Sequence, residues 1–437
     1  MAHFTSLPDS WSSTRIDRVA TVHARIGWKA LTAAEYLDDG YAFLSTPNIK
    51  TTEIDFEKVN FISEFRYRES PELQLTEGDV LLTKDGFTLG TVNVVRHLPR
   101  PATVNGSIAV LRPFDIHPIY LRYVIASNAI QAQIQAVKDG MDVLHLFQRD
   151  IKKLSIPLPP PEEQRRIADF LDAETARIDK LVRTQGQVLA SLAERKAASV
   201  VQQVIGGHRP HRRPSLLPWT DTLPTEWPEV RLGLVAQMGS GHTPSRSRPE
   251  WWSDCTIPWI TTGEVSQVRD DRREVIYETR EKISELGMAN SSATLHPAGT
   301  VVLCRTASAG YSAIMGTGMA TSQDFVTWTC GPRLDPYYLL WCLRAMRQDL
   351  LGRLAMGSTH KTIYVPDLQM LRIPLPPLEE QRIIVQRIRE QNALNDKLAD
   401  SVKRQLQLLT ERRQALVTAA VTGQIDVSTT MGRAAGS

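Results

Sequence analysis

Two patterns of apolar and polar residues alternate along the 437 residues of this chain. The first is a series of short β-like runs broken by Gly, Pro, Asn and Asp. It includes Ala42-Phe43-Leu44, Asp79-Val80-Leu81-Leu82, Thr91-Val92-Asn93-Val94-Val95 and Ser107-Ile108-Ala109-Val110-Leu111, then Ile257-Pro258-Trp259-Ile260, Thr300-Val301-Val302-Leu303 and Phe325-Val326-Thr327-Trp328. Each series leads into one helix opened by proline, Pro118 to about Ala136 and Pro336 to about Met346. The second pattern is helical and long, from about Glu162 to Val204 and from about Glu379 to Val421. At 1.5 Å per residue each such helix is roughly 60–65 Å long. Residues seven apart run Leu171, Ile178, Gln185, Leu192, Ser199 in one and Ile388, Asn395, Val402, Leu409, Leu416 in the other. A heptad seam with charges beside it predicts a coiled coil. Its candidate contacts are Leu171, Ile178, Leu192, Ile388, Val402, Leu409 and Leu416, with Gln185 and Asn395 as polar positions that fix register.

The long helices open on one motif used twice. Ile156-Pro157-Leu158-Pro159-Pro160-Pro161-Glu162-Glu163-Gln164-Arg165 returns as Ile373-Pro374-Leu375-Pro376-Pro377-Leu378-Glu379-Glu380-Gln381-Arg382, a period of 217 residues. The prolines force extended chain before them, the last one suits a first helical turn, and the paired glutamates favour the positive end of a helix. Upstream, Leu7-Pro8-Asp9-Ser10-Trp11 matches Leu223-Pro224-Thr225-Glu226-Trp227, and downstream Gly206 matches Gly423. The chain therefore reads as two tandem copies of one unit. Residues 1–155 and 223–372 are the β-rich domains, 156–206 and 373–423 the long helices, 207–222 a linker and 424–437 a tail. The fold class is α+β, with the two helices pairing antiparallel about a pseudo-twofold and holding the β-rich domains apart.

Composition is ordinary for a globular protein, 42% hydrophobic and 23% charged, and no run of about 18 apolar residues suggests a membrane span. The opening residues lack a charged-then-apolar leader pattern, so a cytoplasmic location is expected. The four cysteines, Cys255, Cys304, Cys330 and Cys342, form no Cys-x-x-Cys pair, so reduced thiols rather than a metal site are expected. A net charge of +3 permits a nucleic-acid partner through local patches without requiring one.

Motifs of catalysis are missing. There is no phosphate-binding Gly-x-x-x-x-Gly-Lys-Ser/Thr, no His-Glu-x-x-His and no Gly-x-Ser-x-Gly. Asp335-Pro336-Tyr337-Tyr338 approaches the Asp-Pro-Pro-Tyr of adenine methyltransferases but lacks the second proline and a glycine-rich cofactor loop. It reads better as a helix start with proline at its first position. Polar loops beside strands are the candidates for binding. Lys84, Asn105 and His145 stand out in the first half. In the second they are Ser240, His242, Thr243, Ser245, Arg246, Arg305, Gln323, Thr359, His360 and Lys361. Cations at strand ends and small residues that admit close backbone approach suit phosphate and base edges, and each of these stretches also reads as a solvated loop. Trp251, Trp252 and Trp259 read as packing rather than base-stacking residues.

The chain resembles the DNA-specificity subunit of type I restriction-modification systems over nearly its whole length. The carriers are the two Ile-Pro-Leu-Pro-Pro-x-Glu-Glu-Gln motifs with their helices, Thr243-Pro244-Ser245, Ile257-Pro258-Trp259-Ile260-Thr261-Thr262-Gly263-Glu264, Thr321-Ser322-Gln323-Asp324-Phe325 and the run Arg412 to Gly423. The first half departs, with Asn105-Gly106-Ser107 where Gln323-Asp324-Phe325 is expected. The resemblance implies two recognition domains, each reading half of a split asymmetric DNA site, and helices that set the spacer and dock two modification subunits. It also implies that S-adenosylmethionine, ATP and magnesium belong to modification and restriction partners, and that this chain is non-catalytic with no cofactor or metal of its own. A specificity module of a fused restriction–methylation enzyme, or a coiled-coil scaffold that does not read DNA, are the other readings.

Overall fold

The computed structural model describes residues 7–24, 31–139, 144–357 and 361–427. It divides into two compact units, one of residues 1–187 with 403–437 and one of 188–402. In the first unit a four-stranded antiparallel sheet runs in the order Ala20–His23, Ile108–Pro113, Val80–Thr83, Val92–Val94. Beside it lies a three-stranded sheet of Asn60–Ile62, Tyr41–Leu44 and Ala102–Val104, the last two parallel. Val80 and Leu82 point into a core shared with Tyr120, Leu121 and Val124, while Leu81 points into a second core with Leu44 and Val104. Both faces of this strand are covered, which is why its sequence is a continuous apolar run.

The second unit repeats the plan. Ala236–Ser240, Phe325–Cys330, Val301–Cys304 and Ser312–Met315 follow in the same order, with Glu281–Ile283, Ile257–Ile260 and Ala320–Thr321 as the smaller sheet. It adds a fifth strand, Val275–Ile276, parallel to Ser312–Met315. In each unit the first short strand pairs with the chain entering the long helix: Ser12–Arg15 with Ser155–Leu158, and Glu229–Arg231 with Arg372–Pro374.

Two sequence expectations change. The single helix from Pro118 is two, Pro118–Ala126 and Asn128–Val137, because Ser127 is extended and its hydroxyl donates to the Val124 carbonyl at 2.6 Å. The linker carries a small antiparallel ladder, Arg212–Pro214 with Thr222–Pro224. Its basic side chains are engaged: Arg212 donates to the Ile205 and Gly206 carbonyls at the end of the long helix, Arg213 pairs with Glu229 and Arg209 with Glu380.

The long helices span Pro161–Val204 and Leu378–Val421. In the first unit Leu171 is buried with Val417, Ala420 and Val421 of the second helix. In the second unit Ile388 is buried with Val200 and Val204 of the first. Ile178 is also buried, whereas Leu192, Val402, Leu409 and Leu416 are half-buried. A second heptad register runs through Thr175, Val182, Leu189 and Lys196, and through Val385, Asn392, Ala399, Leu406 and Arg413, all buried or half-buried. Sequence periodicity misses it because so many of its members are polar. Polar pairing holds it instead. Asp179 takes Arg413 at 3.0 Å in the first unit, and in the second Asp396 takes Lys196 at 2.9 Å. The 217-residue period maps Asp179 onto Asp396 and Lys196 onto Arg413. The second unit adds Ser199 to Gln391 at 2.6 Å and Asn395 Nδ2 to the Leu192 carbonyl at 3.2 Å, contacts that make the helices antiparallel there.

The proline motifs now have a physical role. Gln164, buried, donates to the Pro159 carbonyl and accepts from the backbone N–H of His117; Gln381, buried, donates to the Pro376 and Arg333 carbonyls and accepts from Asp335 N–H. Each glutamine thus staples the motif to the start of the module's helix. The tyrosine three residues into that helix start completes the joint. Tyr120 reaches the Pro157 and Val421 carbonyls, and Tyr338 the Pro374 and Val204 carbonyls. Asp335 caps its helix by accepting from Tyr337 and Tyr338 N–H, as the helix-start reading of that string requires.

At the helix ends Gly206 and Gly423 adopt left-handed backbone, φ 61° and 72°. A Cβ on Gly206 would meet the Trp227 ring and Pro224 at 2.7 Å, and one on Gly423 would meet Pro8 at 2.5 Å. The Leu-Pro-x-x-Trp repeat therefore packs on the glycine that closes the helix. Gly206→Ala is expected to cost about 2–4 kcal/mol, from left-handed strain plus the clash, read as a lowered midpoint in thermal unfolding.

Candidate nucleic-acid interface

In the first unit three loops meet at the ends of strands. Lys84 follows Val80–Thr83; its N–H donates to the Ser107 carbonyl and its carbonyl accepts from Leu146 N–H, both at 2.8 Å. This backbone lattice brings Lys84, Asn105 and His145 together. The Lys84 ammonium pairs with Asp85 at 2.8 Å and the His145 ring contacts the other Asp85 oxygen at 2.9 Å. Lys84 is mostly covered, with 16% of its side chain exposed, whereas His145 is half exposed. Asn105 Oδ1 accepts from Ser107 N–H at 3.1 Å and shapes the turn between them.

The sequence alone misses two members of this site. Asp85 holds both the Lys84 ammonium and the His145 ring. Phe87 stands fully in solvent at the tip of the Lys84–Leu89 loop, on a backbone tied by Gly86 N–H to the Leu144 carbonyl and by Leu89 N–H to the Gly86 carbonyl. The available signal was an aromatic set beside a glycine in the polar stretch Lys84-Asp85-Gly86-Phe87-Thr88.

The second unit builds the equivalent corner with other residues. Arg305 follows Val301–Cys304; its N–H donates to the Asp324 carbonyl and its carbonyl accepts from Ile363 N–H, both at 2.8 Å. Arg305 thus occupies the place of Lys84, and Asp324 that of Ser107. Asn105-Gly106-Ser107 consequently corresponds to Ser322-Gln323-Asp324, one residue away from the sequence match with Gln323-Asp324-Phe325. Asn105 N–H donates to Leu44 as Ser322 N–H donates to Ile260, which fixes the register. The turn after the cation is left-handed in both, at Gly86 (φ 80°) and at Ala307 (φ 55°).

Arg305 Nε donates to the Gln323 carbonyl at 3.0 Å, the Gln323 side chain takes the Thr243 hydroxyl at 2.5 Å, and His242 N–H donates to Thr321. His242, Thr243, Arg305 and Gln323 are thereby gathered, with Ser240 at the end of the preceding strand opposite Val326 and exposed Lys361 two residues before Ile363. Among the described residues no carboxylate lies within ion-pair reach of Arg305, unlike Lys84. Gly241 serves packing, since a Cβ there would run into the Thr321 carbonyl. Ser245 and Arg246 stand apart. Arg246 pairs with Glu281 at 2.6 Å and lies over Trp252, 4.0 Å from the ring centre, while Trp252 meets the buried Trp259 edge-on. Thr359 and His360 lie outside the described residues.

Chemically these corners offer hydrogen-bond donors, cations and one exposed ring. Burial pushes the Cys304 and Cys330 thiols up to about 12 and raises Cys342 as well, so these three thiols stay protonated at neutral pH. Among the described residues no group of three or more His, Cys, Asp or Glu gathers as a metal site, and no helix is long and apolar enough to cross a membrane.

The model of the type I restriction modification DNA specificity domain matches residues 8–189 and again 224–404, once on each copy of the repeat. The chain belongs to that family. Among its relatives, the putative type I restriction enzyme MjaX specificity subunit of Methanocaldococcus jannaschii is 22% identical over 97% of this chain and 95% of its own length. The EcoR124I/EcoR124II specificity subunit of Escherichia coli is 24% identical over 59% of this chain and 60% of its own. In fold, a chain solved in work on complex assembly and conformational transition of the type I R-M system aligns with a TM-score of 0.72 at 20% identity, over 96% of this chain and all of that one. The HsdS subunit of Thermoanaerobacter tengcongensis aligns at 0.52, also 20% identical, over 96% of this chain and 98% of its own. This specificity-family chain thus carries the family domain twice, on two modules of the same topology whose strand-end loops differ.

Proposed function

We infer that this chain is the DNA-reading, non-catalytic subunit of a type I restriction-modification complex, each module reading one half of a bipartite asymmetric site. The observation that carries this is the pair of corresponding corners. One scaffold position holds Lys84 in one unit and Arg305 in the other, and one turn holds Asn105-Gly106-Ser107 in one and Ser322-Gln323-Asp324 in the other. A duplicated scaffold with exchanged polar residues is what two different half-sites require. Phosphate contacts supply affinity and its salt dependence, and base-edge contacts supply sequence.

The long helices set the unread spacer and dock two modification subunits, which bring S-adenosylmethionine and methylate adenine. Restriction subunits using ATP and magnesium join that assembly in the cytoplasm. The deciding experiment maps N6-methyladenine in cells with and without this chain, its modification partner present in both. A split motif that disappears with the chain supports the reading; an unchanged map contradicts it.

Phe87 belongs to this function rather than to stability. Phe87→Ala is expected to leave the melting temperature within about 1 °C, because the ring packs on nothing. It should weaken binding to the mapped site by about 3–10-fold through lost apolar contact with DNA. Calorimetry and a filter-binding titration on the same preparation check both halves.

A further inference from the structure

Where each module meets its long helix, one carboxylate sits between an arginine and an aromatic donor. In the first unit the helix supplies the acid. Asp172 takes Arg96 at 2.7 and 2.9 Å and the Tyr123 hydroxyl at 2.8 Å. In the second unit the module supplies it. Glu274 takes Arg389 of the helix at 2.6 and 3.0 Å and Trp341 Nε1 at 2.9 Å. Tyr123 and Trp341 hold the same place in the helices that begin at Pro118 and Pro336, and the 217-residue period maps Asp172 onto Arg389. The aromatic donor is kept, then, while acid and base have changed sides. The same period maps Arg183 onto Asp400, a second reversal. Asp400 is held by Arg272 of the module at 2.6 and 2.9 Å, and Arg272 also lies 3.6 Å from Asp396.

We propose that these reversed charges key each module's docking face to its own helix, so that the first module accepts a helix with acid at the Asp172 position and the second a helix with Arg and Asp at the Arg389 and Asp400 positions. The joints shared by both units cannot make this distinction, because the glutamine staples, the tyrosine ties and the helix-closing glycines use the same residue types in each and none is charged. Docked in the same way on the second helix, the first module sets Arg96 against Arg389 and leaves Tyr123 facing a cation. Docked on the first helix, the second module sets Glu274 against Asp172 and Arg272 against Arg183. Like charges facing each other in a half-buried joint penalise the wrong pairing, and discrimination comes from that penalty more than from the strength of the correct pair.

The test is a full-length chain in which residues 1–155 and 223–372 exchange places while both helices stay. It is expected to melt lower than the native order by about 5–10 °C. Adding Asp172→Arg, Arg183→Asp, Arg389→Asp and Asp400→Arg to the exchanged chain should recover most of that loss. The same four substitutions in the native order should lower its melting temperature. An exchanged chain that melts like the native one overturns the proposal, as does failure of the helix reversals to recover it. A native-order chain indifferent to the four reversals overturns it too, and that measurement stands even if the exchanged chain does not fold.

Discussion

Replacing Gln381 by leucine is expected to unfold the second unit well before the first. Gln381 is fully buried and makes three hydrogen bonds, to Pro376, Arg333 and Asp335. Leucine keeps the volume and orphans all three backbone groups away from water. Each orphan costs about 1–3 kcal/mol, so a loss of about 3–5 kcal/mol follows once partial relaxation is allowed. Gln164→Leu orphans two groups, the Pro159 carbonyl and His117 N–H, and should cost about 2–4 kcal/mol in the first unit. Scanning calorimetry reads both, because each variant should pull one transition ahead of the other. Wild-type melting by either variant, or a larger loss from Gln164, would sink this account of the motif.

Arg305→Ala is expected to change DNA recognition at one half of the site and leave the other untouched. Its Nε is already committed to the Gln323 carbonyl, which leaves the two terminal nitrogens of the guanidinium with no carboxylate within reach among the described residues. A fork held by its stem and open at its end suits bidentate contact with guanine, worth about 1–3 kcal/mol against a wrong base, or about 5–150-fold. The methylation map of the variant should show one degenerate position in one half-site. Lys361→Ala, which removes an exposed point charge, should instead weaken binding evenly across sequences and flatten its salt dependence. If Arg305→Ala acts evenly as well, Arg305 is a phosphate contact and the base-reading assignment fails.

The strands Tyr41–Leu44, Val80–Thr83, Val92–Val94, Ile108–Pro113, Ile257–Ile260, Val301–Cys304 and Phe325–Cys330, both long helices and the duplication were legible in the sequence because each rests on local signals: apolar runs, proline and glycine punctuation, and a repeat long enough to index itself. Shorter strands such as Asn60–Ile62 and Ala320–Thr321 carry too few residues for such a signal. Only half of the heptad seam was legible. Lys196, Asn392 and Arg413 sit on it, and polarity hides a seam that ion pairs and amides hold together. The break at Ser127 was hidden for a related reason, since one hydroxyl bond to Val124 ends a helix that the apolar pattern would continue.

At the candidate interface, Lys84, Asn105 and His145 converge, as do Thr243, Arg305 and Gln323, but sequence could not show which cations remain open. Asp85 occupies Lys84, and Glu281 with Trp252 draws Arg246 away from the corner. Those are long-range facts set by how loops cross, as is the one-residue shift that pairs Asn105 with Ser322.

The division of the chain also has a consequence for synthesis on the ribosome. The second unit is continuous, residues 188–402, whereas the first needs Val417, Ala420, Val421 and Val427 to close a core begun by Trp11 and Ile16. The half made first is therefore the half finished last. At about 5–20 residues per second, the first module waits roughly 14–54 s after its own residues are made, the time to add the 427 − 155 = 272 residues up to Val427 that seal it. During that interval the C-terminal module can complete itself, which makes the nascent N-terminal half the part of this protein that depends most on protection from aggregation.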